Sequence, residues 1–437
     1  MQSTDPGFDL AALVLLFASV IGSINALFFR LPRAIALLSA ALLTSLALIL
    51  IDRLGILPSV ALLRLGIGKA DFPHVFLEGI LAFLLFAGTL QVRLADLHRE
   101  KWAILALSPV GVVIATTVFG FGMWETCRMV GTPIPRPWCF VLGAILAPTD
   151  PVVVQSLLDR LPMPPRLRAI IDGESLFNDG AGLVVFVITL AIAAGDKGVI
   201  GHGHALKALF SATLGGAAIG FIFGFLTGKA THRVAEPILQ LTITLALVAC
   251  CYRLADVIDV SGPIAVVTAG LVLTAASGSE GSSGLAPTVI AFWSLLDELL
   301  NTFLFLFVGL QLIGLSLAAV YVLPTLVAIL LSLVSRLVSV VGPIALRGGL
   351  IRDNARSATV LVWCGLRGGV SIALALTIPS SPYRSELLAI CYGVVVFSIV
   401  FQGLTLTVLL SRLYGSAAAA SVTSRRLNAV MPAAQPK

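Results

Sequence analysis

Apolar runs of about 20 residues recur along this chain, separated by short segments rich in Gly, Pro and charge. A run of that length is what an α-helix needs to cross a hydrocarbon layer about 30 Å thick. The pattern predicts thirteen helices, over roughly 8–29, 34–51, 74–91, 102–124, 138–159, 169–194, 205–228, 237–252, 262–276, 288–314, 320–346, 357–378 and 386–411. The stretches over 237–252 and 262–276 are the shortest. The gaps fall at Arg30–Arg33, Leu94–Lys101, Asp159–Arg168, Lys229–Pro237, Ser277–Pro287, Arg347–Arg356 and Pro379–Glu386, where helix breakers and solvated charges concentrate. The expected fold class is an all-α polytopic membrane protein, one membrane-embedded domain over residues 1–437. Its tail over 413–437, rich in Ala, Ser and Arg, is too short for a folded domain.

Composition strengthens this reading. The chain is 58% hydrophobic and only 11% charged, with a mean hydropathy of +1.04. A soluble core of 437 residues cannot bury that much apolar surface. The formal charge of +6 does not indicate a nucleic-acid partner, because the basic residues punctuate the gaps instead of forming a stripe. Counting Lys and Arg on alternate sides puts roughly twice as many on the side carrying Arg30, Arg33, Arg93, Arg166, Arg168, Arg352 and the C-terminal tail. That side is expected to be cytoplasmic, with the N-terminus outside. No Lys or Arg occurs in the first fifteen residues, so no signal-peptide n-region is predicted and the first helix is expected to remain as a span. The six cysteines show no metal-ligand spacing and are read as reduced packing residues.

The candidate chemistry lies where charge interrupts these spans. Asp150 sits in Ala147-Pro-Thr-Asp-Pro151, Glu174 and Asp179 in Gly173-Glu-Ser-Leu-Phe-Asn-Asp-Gly180, and Arg336 and Arg367 in the eleventh and twelfth stretches. A charge at the bilayer centre costs roughly 2.5–3.5 kcal/mol even on the lenient insertion scale, and the default reading is an ion or proton pathway. Three carboxylates against two guanidinium groups leave one surplus negative charge. One proton or one cation can neutralise it, which is the chemical requirement for exchange. Glu174 and Asn178 are four apart, as are Ser175 and Asp179, so two adjacent helix faces gather carboxylate, hydroxyl and amide oxygens suited to a hard monovalent cation. Asp150 reads equally as a substrate ligand or a helix-end cap. Glu174 and Arg336 read as a salt bridge fixing the sixth helix against the eleventh. Arg367 reads as a cap or a counter-charge, with the counter-charge favoured.

Pro148 and Pro151 bracket Thr149-Asp150, and Gly365, Gly368 and Gly369 flank Arg367. Both segments are expected to unwind, which at membrane depth is tolerated only in a protein-lined site. They fall in the fifth helices of two six-helix halves, helices 1–6 and 8–13. Matching breaks in two halves point to inverted repeats with a site at the midplane. Glu298 and Glu78 read as solvated acids, His202 and His204 as an exposed loop, and Gly215, Gly216, Gly220, Gly224 and Gly228 as a helix-packing stripe. Enzyme signatures such as HExxH, GxSxG or a P-loop do not occur.

Four runs carry a family resemblance: Gly143-Ala-Ile-Leu-Ala-Pro-Thr-Asp-Pro-Val152, Gly173-Glu-Ser-Leu-Phe-Asn-Asp-Gly180, Asn301-Thr-Phe-Leu-Phe-Leu-Phe-Val-Gly-Leu310 and Trp363-Cys-Gly-Leu-Arg-Gly-Gly-Val-Ser371. In order, they resemble the sodium/proton antiporters of the first monovalent cation/proton antiporter family, the NhaP and NHE-type exchangers. The resemblance spans about residues 10 to 410. It implies that Asp179 binds Na⁺ and H⁺ by turns, that Asp150, Thr149 and Ser175 complete the cation site beside Asn178, that Glu174 partners Arg336, and that Arg367 stabilises the second break. It further implies a homodimer of protomers, each with a dimerisation domain and a six-helix moving core, no cofactor beyond the transported ions, and a bacterial inner-membrane location, since the long tail of animal exchangers is absent. Asn-Asp at 178–179 resembles members that exchange one for one. Ser294 and Gln311 depart from the family pattern, where acids are expected. Rival readings are a K⁺/H⁺ exchanger on the same frame, a passive cation channel, and an intramembrane hydrolase using Ser175 and Asp179.

Overall fold

The computed structural model describes residues 6–54, 79–131, 134–150, 154–155, 163–195, 204–275, 285–314, 319–347 and 354–414. The readings of Glu78 and His202, the side chain of His204, and the tail from residue 415 lie outside them. The described residues are mostly helical, and none of them is in a strand. The helices are α1 (Pro6–Ile24), α2 (Arg33–Arg53), α3 (Leu81–Gln91), α4 (Leu94–Leu107), α5 (Pro109–Val130), α6 (Arg136–Ile145), α7 (Pro165–Ala193), α8 (His204–Arg233), α9 (Pro237–Val257), α10 (Gly262–Ala275), α11 (Pro287–Leu310), α12 (Val322–Arg347), α13 (Asn354–Trp363), α14 (Gly369–Leu376) and α15 (Arg384–Phe397). The last continues as helix to Tyr414.

Each predicted stretch is occupied by helix over most of its described part. Nine described helical segments are long and apolar enough to cross a membrane, and α3, α6 and α10 are shorter apolar helices. Proline opens α5, α6, α7, α9 and α11, where its missing N–H has no helical partner to lose. Gly131, at φ 76°, ends α5 in the left-handed conformation that a side chain resists. Large apolar side chains such as Leu27, Phe28, Phe221, Ile238 and Leu330 face outward. An outer surface of that kind belongs in lipid, where helices satisfy their own backbone groups.

Two buried apolar clusters organise the interior. One joins α4–α7 and α12–α15, and takes in Ile35 and Leu38 of α2, Leu85 of α3 and Leu304 of α11. The other joins α9 and α10 to Phe86 of α3 and Trp293 of α11. Helices α3 and α11 therefore belong to both clusters and form the seam between them. Within the second body, α8 lies on α10 through the predicted glycine stripe. A Cβ at Gly216, Gly220 or Gly224 would run into the backbone of Ser261, Ala265 or Ala269.

The stripe gives a stability prediction. Gly220→Val forces α8 from α10, and overpacking of this kind costs about 1–3 kcal/mol. Its detergent melting temperature should fall below wild type in a thermal-shift measurement. Gly22→Ala, with nothing within 4 Å of the new Cβ, should not lower it.

Candidate ion-binding site

Both expected breaks are present. α6 stops at Ile145, and residues 147–150 run out of helix; α13 stops at Trp363, and residues 365–368 run out of helix until α14 begins. The two unwound segments meet. The Asp150 N–H donates to the Leu366 carbonyl at 2.7 Å, and Gly368 lies directly against the Asp150 carboxylate, where a Cβ could not fit. Asp150 thus sits at the start of α14, where the positive helix end favours a carboxylate.

Arg367, 2% exposed, does the reverse at the first break. Its guanidinium donates to the carbonyls of Ala147 and Pro148, the latter at 3.1 Å, while its backbone N–H donates to Ser398 Oγ at 2.9 Å. Among the described residues it forms no ion pair. The counter-charge reading therefore gives way to the capping one, because the interrupted α6 leaves carbonyls that need donors at its negative end. Arg367 sits on the second break but satisfies the first.

Glu174 and Arg336 pair as expected, in a two-pronged bond through Arg336 Nη1 and Nη2, the second at 2.9 Å. Arg336 also donates twice to the Leu361 carbonyl, at 2.8 and 3.2 Å. The pair ties α7 to α12 and to the last turn of α13. Gly365 lies against the Arg336 side chain with no room for a Cβ.

The other predicted oxygens gather around Thr149. Ser175 Oγ donates to the Thr149 carbonyl at 2.7 Å, and Asn178 Nδ2 donates to Thr149 Oγ1 at 2.6 Å. The Asn178 amide oxygen is buried with no hydrogen-bond partner. Asp179, one residue on, turns away from this knot and lines a cavity of about 80 Å³ together with Asp150 and Ser175. No donor among the described residues reaches its carboxylate. Glu174 faces away from that cavity, across a void of about 10 Å³ bounded also by Thr149, Asp150 and Arg336.

Sequence reading missed the far wall. Asp297 and Asn301 of α11 line the same cavity, with Asp172 and Gln155 toward its Arg168 side. Asp297 accepts from Gln91 Nε2 at 3.1 Å and from Asn301 Nδ2 at 3.1 Å. The signal was available, since Asp297 and Asn301 are four apart and share one face of a largely apolar helix. Glu298, read from the sequence as a solvated acid, is exposed and pairs with Arg33. The single surplus charge counted from sequence is correspondingly redistributed, with Glu174 and Arg336 cancelling and several carboxylates bordering the cavity.

Residues 12–412 match the family model described as sodium/hydrogen exchanger, transmembrane. The chain belongs to the sodium/hydrogen exchanger family. The exchanger is 36% identical to the Na⁺/H⁺ antiporter NhaP of Pseudomonas aeruginosa, over 93% of this chain and 97% of that one. It is 33% identical to the low-affinity Na⁺/H⁺ antiporter NhaS1 of Synechocystis, over 76% of this chain and 63% of that one. Its fold is similar to that of the sodium proton antiporter MjNhaP1 of Methanocaldococcus jannaschii, with a TM-score of 0.72, 20% identity, and coverage of 93% and 98%. The exchanger is an integral membrane protein of a transporter family, with the all-helical architecture expected from its sequence.

The buried pair sets a stability prediction. Breaking a buried pair by removing one member typically costs about 3–5 kcal/mol, because the other charge is left uncompensated. Glu174→Ala and Arg336→Ala should each melt well below wild type in detergent. Asp179→Asn, which breaks no hydrogen bond among the described residues, should melt with wild type.

Proposed function

We propose that this exchanger moves Na⁺, and Li⁺ in its place, against H⁺ across a bacterial inner membrane, one ion for one proton, in the service of pH and sodium homeostasis. The observation that carries the reading is Asp179: a carboxylate inside the membrane, open to a cavity and without a donor among the described residues, beside Asp150 and Ser175. Such a group is neutralised either by a proton or by a cation, and cannot comfortably hold both. Asp150, Thr149, Ser175 and Asn178 complete the Na⁺ site. Glu174, Arg336 and Arg367 hold its frame. The names of the similar antiporters support Na⁺ as the cation.

The chain crosses the membrane thirteen times as two inverted repeats, with its N-terminus outside and its C-terminus in the cytoplasm. It works as a homodimer, with dimerisation and core subdomains interleaved in one membrane domain and no cofactor. Movement of the core bundle past its partner helices opens Asp179 to each side in turn. Electroneutrality follows from Asn178 being neutral and from Asp150 being held at the start of α14. One exchangeable carboxylate then makes both half-cycles carry the same charge.

Reconstitution with an internal pH dye, titrated with Na⁺, Li⁺ and K⁺, tests the exchange. Na⁺ should drive proton flux, and its apparent affinity should fall as pH falls, since protons compete for the same oxygen atoms. Asp179→Asn should abolish the flux while the protein stays folded. Normal Na⁺-driven flux in that variant would remove Asp179 from the site.

Voltage tests the stoichiometry. A potential supplies about 2.3 kcal/mol per charge per 100 mV to a cycle that moves net charge. Vesicles held at zero or at a large K⁺/valinomycin potential should show equal steady flux. A sign-dependent acceleration would require a second proton per cycle.

A further inference from the structure

We propose that Asp297 sets the affinity for the incoming cation on one side of the membrane only, the side marked by Arg33, Arg93 and Arg168. The proposal rests on the exchange reading and extends it to a residue on the opposite wall. Asp150, Ser175 and Asp179 face the cavity from α7 and the first break, which belong to the first apolar cluster. Asp297 faces it from α11, one turn beyond Trp293, the anchor of the second cluster. The cavity lining continues through Val92 and Asp172, the neighbours of the basic gap residues. A cation entering from that side therefore meets carboxylates on both walls.

The orientation of Asp297 suits this role. Gln91 Nε2 donates to Oδ2 and Asn301 Nδ2 to Oδ1. Two amide donors fix the carboxylate without cancelling its charge, so its field acts on the cavity. Glu298 beside it does not compete, because it is paired with Arg33 on the exposed face. When the core bundle moves past α3 and α11, Asp179 and its companions leave the field of Asp297. The same Na⁺ site then has a carboxylate opposite it when open to one side, and none from this position when open to the other. Asp297 is a positioning residue for the ion and does not exchange the proton.

The test compares wild type, Asp297→Asn and Asp297→Glu in everted and right-side-out vesicles from an antiporter-deficient bacterial host. Asn keeps the size of the side chain and removes the charge; it offers one acceptor oxygen where the carboxylate offers two, so one of its amide neighbours, Gln91 or Asn301, must turn its oxygen toward the new N–H. Loss of one carboxylate a few ångströms from the ion path, in a partly wet cavity, should raise the Na⁺ KM from the Arg33 side about three- to tenfold. The KM from the opposite side should stay at the wild-type value, and Glu should restore the first. The difference between wild type and Asn should shrink when choline chloride is added, because salt screens a charge effect and not a packing defect. An unchanged KM on the Arg33 side, an equal rise on both sides, or a rise confined to the opposite side would overturn the proposal. Equilibrium ²³Na⁺ binding to the purified chains separates this result from the exchange reading. Weaker binding in Asn than in wild type supports Asp297 even where no Na⁺-driven proton flux is seen. Equal binding, or none in wild type, counts against it.

Discussion

Two stretches of chain leave the helical state at membrane depth, and there no water stands ready for the groups they expose. Each unsatisfied backbone polar group in that setting costs several kcal/mol. The structure meets the constraint by making the two breaks serve one another. Arg367, from the second, holds the carbonyls of Ala147 and Pro148 in the first; the Asp150 N–H, from the first, is held by the Leu366 carbonyl in the second. The negative end of α6 receives a cation and the start of α14 receives a carboxylate. Close approach of the two breaks depends on the missing side chain of Gly368, and that of Gly365 makes room for Arg336. Everything proposed for the ion site presupposes this crossing, because it is what presents Thr149 and Asp150 to α7.

The sequence carried the helices and both breaks for a direct reason. Apolar run length and proline–glycine punctuation are local properties, and a membrane leaves few alternatives to helix. The Glu174–Arg336 pair was legible because two opposite charges in separate apolar runs have little else to do. Arg367 was harder. Its charge suggested a counter-ion, and only the three-dimensional crossing reveals that carbonyls more than 200 residues earlier need its donors. Asp297 was missed for a related reason: adjacent acids at 297 and 298 look alike in sequence. A helix turns by 100° between them, and that turn decides which meets Arg33 and which meets the cavity.

The seam also explains why the described interior has two large clusters instead of one. α3 and α11 bury residues in both clusters, while Leu295 and Leu299 of α11 face outward. Small residues recur along them and on their neighbours: Gly88 lies against Leu176, Gly369 against Leu304, and Gly180 against Ile264. Contacts of that kind are smooth, with few polar groups to break when one body shifts past the other. The polar bonds are concentrated inside each body, as in the Thr149 knot and the Gln240–Ala286 link.

That knot has a kinetic meaning. Ser175 and Asn178 grip both the carbonyl and the hydroxyl of Thr149, so α7 and the unwound segment cannot part without losing both bonds. An ion bound among them rides with its ligands instead of hopping between fixed stations. Each turnover then displaces helices, whose collective motions take on the order of microseconds to milliseconds, and the pace is set by the drag and thermal activation of that displacement. A carrier built this way slows steeply on cooling and in stiffer lipid, where a pore with stationary ligands would slow only as the diffusion of its ion does.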